Sequence, residues 1–133
     1  MAAAAWLRLM VKKSSTLAMK ENADYLAAAL PDLLREFGFD AQAFSSAEEF
    51  LMSEYVNQTR CLILDVAMPG MTGPDLQREL TLRRQEIPIV FITAHRSENI
   101  RPRVLERGAV DCLFKPFSDA DLLRALNTAL RVN

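Results

Sequence analysis

Cys61-Leu-Ile-Leu-Asp-Val-Ala-Met-Pro-Gly-Met-Thr-Gly73 is the stretch on which the fold turns. Four apolar residues run without alternation into one carboxylate, and turn-forming Pro69 and Gly70 follow. An apolar run this short and unbroken predicts a strand buried on both faces, as in parallel sheets. Asp65 then stands at the carboxyl end of that strand, where open α/β sheets place their functional groups. A carboxylate there acts as a nucleophile, a metal ligand, or both.

Downstream, Ile87-Pro-Ile-Val-Phe-Ile-Thr93 predicts a second buried strand and Val110-Asp-Cys-Leu-Phe114 a last one. Gly73-Pro74 opens a helix carrying Leu76, Leu80 and Leu82, proline being well placed in a first helical turn. A polar helix is expected over about 97–107, ending at Gly108. Lys115-Pro116 turns the chain, and Ser118-Asp-Ala-Asp121 caps a final helix to about Leu130.

Upstream, Leu26, Leu30, Leu33, Leu34 and Phe37 recur at helical spacing, with Gly38 as C-cap and Pro31 as a kink or restart. Phe39-Asp-Ala-Gln-Ala-Phe44 is a short strand candidate, and Ser46-Ala-Glu-Glu49 has the capping-box spacing of a helix through Phe50 and Leu51. The first strand has two registers. Thr16-Leu-Ala-Met-Lys20 has the right position but weak strand character; Trp6-Leu-Arg-Leu-Met-Val11 has better character but comes early. Strands alternating with helices through short loops predict a parallel sheet covered on both faces, a three-layer α/β sandwich.

With 133 residues, half of them hydrophobic, the chain supports one domain with a real core. Lys plus Arg number 16 against 17 acids, which argues against a nucleic-acid-binding face. Cys61 and Cys112 both lie in apolar runs and read as reduced core thiols of a cytoplasmic protein. No apolar run approaches the roughly 20 residues that span a membrane. The Ala2–Arg8 stretch lacks a basic n-region, so a signal peptide is not expected. Neither nucleic acid nor membrane is an expected partner, and no output domain is expected within these residues.

Asp65, Thr93 and Lys115 end three predicted strands. In a parallel sheet those ends share one edge, so a carboxylate, a hydroxyl and an ammonium can converge. That set suits phosphoryl transfer: the carboxylate attacks phosphorus while the other two hold the charged equatorial oxygens.

With these residues in place, the chain resembles the receiver domains of two-component response regulators, especially the subfamily that often carries a LuxR-type DNA-binding domain. The resemblance rests on Phe44-Ser-Ser-Ala-Glu-Glu-Phe-Leu51, Leu64-Asp-Val-Ala-Met-Pro-Gly-Met-Thr-Gly73, Phe91-Ile-Thr-Ala94, Gly108-Ala-Val-Asp111 and Phe114-Lys-Pro-Phe117. It implies a flavodoxin/receiver-like fold, a five-stranded parallel sheet flanked by five helices. The receiver would cover 16–133, with 1–15 an N-terminal extension or irregular first strand. Asp65 would be the phosphoacceptor, Thr93 the switch hydroxyl and Lys115 the phosphate-binding lysine, joined to Pro116 by a cis peptide bond. The implied partners are a histidine kinase or phosphotransfer protein, and a second copy bound through the fourth helix and last strand. Such a domain is no enzyme beyond slow self-catalysed phosphoryl transfer and dephosphorylation.

The resemblance also implies an acidic pair that holds Mg²⁺ with the phosphoacceptor, and here the chain departs. Counting back from Leu33-Leu-Arg-Glu-Phe-Gly38, the pair falls on Glu21 and Asn22. Asn22 offers a neutral oxygen to a hard cation that prefers carboxylates. In the early register the pair falls near Lys12 and Lys13, whose ammonium groups would exclude the metal. The expected ligands are therefore Asp65, Glu21, the backbone carbonyl of Ala67 and, weakly, Asn22, and the Mg²⁺ site is weakened in either register. Lys20 also replaces an apolar residue.

Cys112 stands where the family has a rotating aromatic, and a thiol cannot make that swing. His95 is either a solvated loop residue or one at the mouth of the site. Arg101, Arg103, Glu106 and Arg107 form a solvated helix face or a partner contact. Two further functions are weighed: a pseudo-receiver that binds partners without phosphorylation, and a haloacid-dehalogenase-type phosphatase. The latter needs a second Asp where Ala67 stands, which nearly excludes it.

Overall fold

The computed structural model describes residues 32–34, 36–39, 41, 44, 46–66, 70–94 and 99–131. Three strands lie among them: β1 (Leu62–Asp65), β2 (Ile89–Thr93) and β3 (Asp111–Phe114). They pair in parallel in the order β1-β2-β3, with Asp65 opposite Ile92 and Thr93 opposite Phe114. The predicted runs 61–65, 87–93 and 110–114 become these strands, each shortened by a residue or two at its start. Pro88 lacks an N–H and stays outside β2, yet its carbonyl accepts from the Leu62 N–H at 2.9 Å.

Both registers of the first strand lie outside the described residues, as does most of the first predicted helix. That helix's end is visible: Phe39 N–H bonds Leu34 O at 3.0 Å across Gly38, whose φ of +94° is the left-handed value a glycine C-cap supplies. In the candidate strand 39–44, Phe39, Ala41 and Phe44 carry no strand assignment and the residues between them are outside the description. Phe39 and Ala41 enter one core layer and Phe44 the other.

Helix α1 (Ala47–Leu51) is capped by Ser46, whose Oγ accepts from the Glu49 N–H at 3.0 Å. A 3-10 turn at Val56–Gln58 leads into β1. Helix α2 (Gly73–Leu82) opens with a full capping box: Thr72 Oγ1 accepts from Asp75 N–H at 3.2 Å, and Asp75 accepts from Thr72 N–H at 3.1 Å. Its buried stripe is Gly73, Leu76, Gln77 and Leu80. Leu82, which the same predicted helix carries, is exposed, because two residues beyond Leu80 the helix has turned it away. Helix α3 (Ile100–Glu106) is followed by Gly108 at φ +104°, and α4 (Asp119–Arg131) follows a Ser118 cap onto Asp121 N–H.

The sheet divides the core in two. On one face Cys61, Ile63, Val90 and Ile92 pack with Leu34, Phe39 and the Leu122, Ala125, Leu126 and Ala129 stripe of α4. On the other, Leu62, Leu64, Ile89, Phe91 and Cys112 pack with α1, α2 and α3. Successive strand residues point to opposite layers, as the unalternating apolar runs require. The result is the expected three-layer α/β sandwich, with three of the five expected strands among the described residues.

Candidate functional site

β1 delivers Asp65 to the carboxyl edge of the sheet with its side chain only 16% exposed. Lys115 follows β3 directly, and its side chain, 5% exposed, brings Nζ to 3.4 Å from Asp65 Oδ2. Lys115 is aimed by its backbone, whose N–H bonds Thr93 O at 2.8 Å and extends the β2–β3 ladder past the last strand residue. The Lys115–Pro116 peptide bond is cis. Thr93, 1% exposed, ends the strand between the other two. Three strand ends thus gather a carboxylate, a hydroxyl-bearing residue and an ammonium at one edge.

Taking two charges this far out of water is costly unless they meet, and here they meet. The ammonium beside the carboxylate can also neutralise an anion arriving on Asp65. The remaining expected site residues, Glu21, Asn22, Ala67 and His95, lie outside the described residues, as do Lys12, Lys13 and Lys20. Among the described residues no group of three His, Cys, Asp or Glu side chains is placed to hold a metal ion. Asp65 is the one expected metal ligand in view, and its carboxylate is the hard oxygen donor that Mg²⁺ prefers.

Two positioning residues escaped the sequence reading. Gly73 is the first: a Cβ there would lie 2.6 Å from Asp65 O and 2.9 Å from Phe91 Cε1, so α2 can start this close only on a glycine. Gly73 N–H also bonds Val66 O at 3.2 Å, holding the helix start on the strand end. Gly73-Pro74 reads as the opening of a helix, and nothing in that pairing signals a close approach. The second is Glu48 of α1, whose Oε2 accepts from Met71 N–H at 3.1 Å and anchors the loop after β1. No local signal links residues so far apart in sequence.

Cys112, 2% exposed, is buried against the α2–α3 layer. Burial pushes its thiol up to about 11 and that of Cys61 up to about 12, with Arg101 pulling Cys112 the other way. Arg101 spans from α3 to β3, pairing with Asp111 Oδ1 at 2.9 Å and donating from Nε to Cys112 O at 3.3 Å. Arg101 is thus partly a structural tie, whereas Arg103 and Arg107 are exposed. Hydrogen bonds from Thr72 hold the Asp75 carboxyl below the usual carboxylate range. No helix among the described residues is long and apolar enough to cross a membrane.

Comparison with known proteins agrees with this geometry. The family model "Response regulator receiver domain" matches residues 20–127. The response regulator protein TodT of Pseudomonas putida is 37% identical over 126 residues, covering 95% of this chain and 56% of TodT. Nodulation protein W of Bradyrhizobium diazoefficiens is 45% identical over 101 residues, covering 76% of this chain and 44% of that protein. The chain therefore spans about half the length of these relatives. Among solved structures, the response regulator StyR superposes with a TM-score of 0.78 at 36% identity, covering 96% of this chain and 60% of StyR. FixJ-N superposes at 0.75 and 27% identity, covering 95% and 94%. Sheet, strand-end site and sequence kinship agree: the chain belongs to the response regulator receiver domains of two-component signal transduction.

Proposed function

We propose that Asp65 is the phosphoacceptor for a histidine kinase or phosphotransfer protein. One observation carries this reading: Lys115 Nζ stands 3.4 Å from Asp65 Oδ2 at the strand-end edge that Thr93 shares. A carboxylate oxygen of Asp65 attacks phosphorus, a P–O or P–N bond to the donor breaks, and the departing group keeps the electron pair. Lys115 then faces the new phosphoryl oxygens, and the Thr93 hydroxyl is the switch donor that they draw in. The domain performs no turnover beyond slow self-catalysed transfer and loss of the phosphoryl group.

Bound Mg²⁺ would supply positive charge against the phosphoryl oxygens, held by Asp65, Glu21, the Ala67 carbonyl and weakly by Asn22. The amide at Asn22 leaves the ion one carboxylate short, so affinity is impaired. We place the protein in the cytoplasm and in the subfamily that pairs receivers with LuxR-type DNA-binding domains. A second copy would bind through α3 and β3, where Arg103 and Arg107 are exposed. A second reading, a pseudo-receiver acting by protein binding alone, is favoured by Asn22 and by Cys112, buried where a mobile aromatic would act.

Phosphoryl uptake from acetyl phosphate, followed by intact mass across a Mg²⁺ titration, separates the two. The phosphoacceptor reading predicts one phosphoryl group on the native chain at high Mg²⁺, none on Asp65→Asn, and uptake at lower Mg²⁺ for Asn22→Asp. A folded native chain that takes up nothing at any Mg²⁺ concentration would leave the pseudo-receiver.

A further inference from the structure

Gln77 of α2 is 4% exposed, and its Nε2 donates to two carbonyls at the end of α3, Val104 O at 3.2 Å and Arg107 O at 3.4 Å. Val104 O already accepts from Ala109 N–H, so the side-chain amide adds a second donor there and also ties the Arg107 carbonyl to α2. Turning both N–H groups to α3 points Oε1 the other way. That oxygen is buried with no hydrogen-bond partner. Polar burial with one half unsatisfied carries a desolvation penalty, which a leucine at the same place would avoid.

One turn earlier on the same buried stripe, Gly73 presses against the backbone of Asp65. α2 therefore touches the functional strand end with one turn and holds the end of α3 with the next. Beyond this contact lies a cleft of about 460 Å³, lined by Gln77, Arg84, Ile87, Arg107, Gly108 and Val110. Arg107 and Gly108, the residues that leave α3, stand on the wall of that cleft, while Val104 one turn back is buried in the core.

We propose that Gln77 is a strut, a positioning residue through which displacement at the Asp65 strand end reaches the C-terminal turn of α3. What displaces that end is phosphorylation, so the inference rests on the reading above. Amide hydrogen exchange of the native chain and Gln77→Leu, with and without acetyl phosphate and Mg²⁺, tests it. Gln77→Met is a second variant should the branched side chain disturb packing. Gly108 and Ala109, whose N–H groups bond Leu105 O and Val104 O, are the reporters.

Before phosphorylation, loss of the neutral amide bonds should speed exchange there by about fivefold. After it, the native chain should change at these amides and Gln77→Leu should not. Equal exchange in both unphosphorylated chains, or the same phosphorylation-linked change in both, would overturn the strut. Intact mass reports separately on the functional reading. If the native chain takes no phosphoryl group, Gly73→Ala displaces the Asp65 end directly. Its effect on Gly108 and Ala109 should vanish in the Gln77→Leu background, and persistence there would overturn the proposal.

Discussion

Gly73→Ala sets two effects against each other. In a helix, alanine is favoured over glycine by up to about 1 kcal/mol, and the unfolded chain loses freedom as well. Were Gly73 merely a helical residue, the variant would be more stable. The added Cβ, however, would sit 2.6 Å from Asp65 O, 2.9 Å from Phe91 Cε1 and 3.3 Å from Val66 Cα. Two of these are backbone atoms of the strand end, and Phe91 is fully buried in the middle of β2. None of the three is the free end of a flexible side chain.

Ordinary carbon contacts lie at about 3.5–4.0 Å, so the first turn of α2 has to lift by roughly 0.7 Å. Overpacking of this kind costs about 1–3 kcal/mol, which exceeds the propensity gain. The net expectation is a loss of up to about 2 kcal/mol, or as much as about 8 °C in Tm for a domain of this size. Thermal and urea unfolding measure it, and phosphoryl uptake should slow because the displaced backbone carries Asp65. A variant as stable as the native chain, with unchanged uptake, would refute the close-approach argument.

Lys115→Met removes the ammonium from a largely buried carboxylate. It should cost about 2–3 kcal/mol in urea unfolding, and Asp65→Asn in the same chain should recover part of that. The buried thiols predict an alkaline weakness. Burial raises Cys61 to about 12 and Cys112 to about 11 from an ordinary 9.0, so above pH 9 the unfolded chain sheds protons that the folded chain keeps. Stability is therefore intact below that value and falls as pH rises, by on the order of 1 kcal/mol per thiol at pH 10. Urea unfolding at pH 8 and 10 should show the decline, and Cys61→Val with Cys112→Val should flatten it. Glu48→Ala frees Met71 N–H at an exposed site; it should cost less than about 1 kcal/mol yet speed amide exchange at Met71.

The strands were legible because their apolar runs are unbroken, and a sheet buried on both faces leaves such runs no other use. The meeting of Asp65 and Lys115 was legible for a related reason: parallel strands put their carboxyl ends on one edge. Helix faces were read less well. Leu76, Leu80 and Leu82 mark the helix in the sequence, but only the angular position of each separates the buried pair from the outward-turned Leu82. Gln77 was passed over because a glutamine reads as solvent-facing, although Gly73, Leu76, Gln77 and Leu80 form an ordinary buried stripe. Gly73 and Glu48 depend on backbone approach and on a contact between distant segments, neither of which leaves a periodic trace. The departures at Glu21 and Asn22 were legible only through the family resemblance, which says what ought to stand there.

Locating the phosphoryl group tests the central claim most directly. After incubation with acetyl phosphate and Mg²⁺, borohydride reduction converts an aspartyl phosphate to homoserine, which peptide mapping assigns to a residue. The account predicts homoserine at position 65 in the native chain, much less in Lys115→Met and none in Asp65→Asn. Homoserine at another aspartate, or none in a folded and fully reacted native chain, would contradict it.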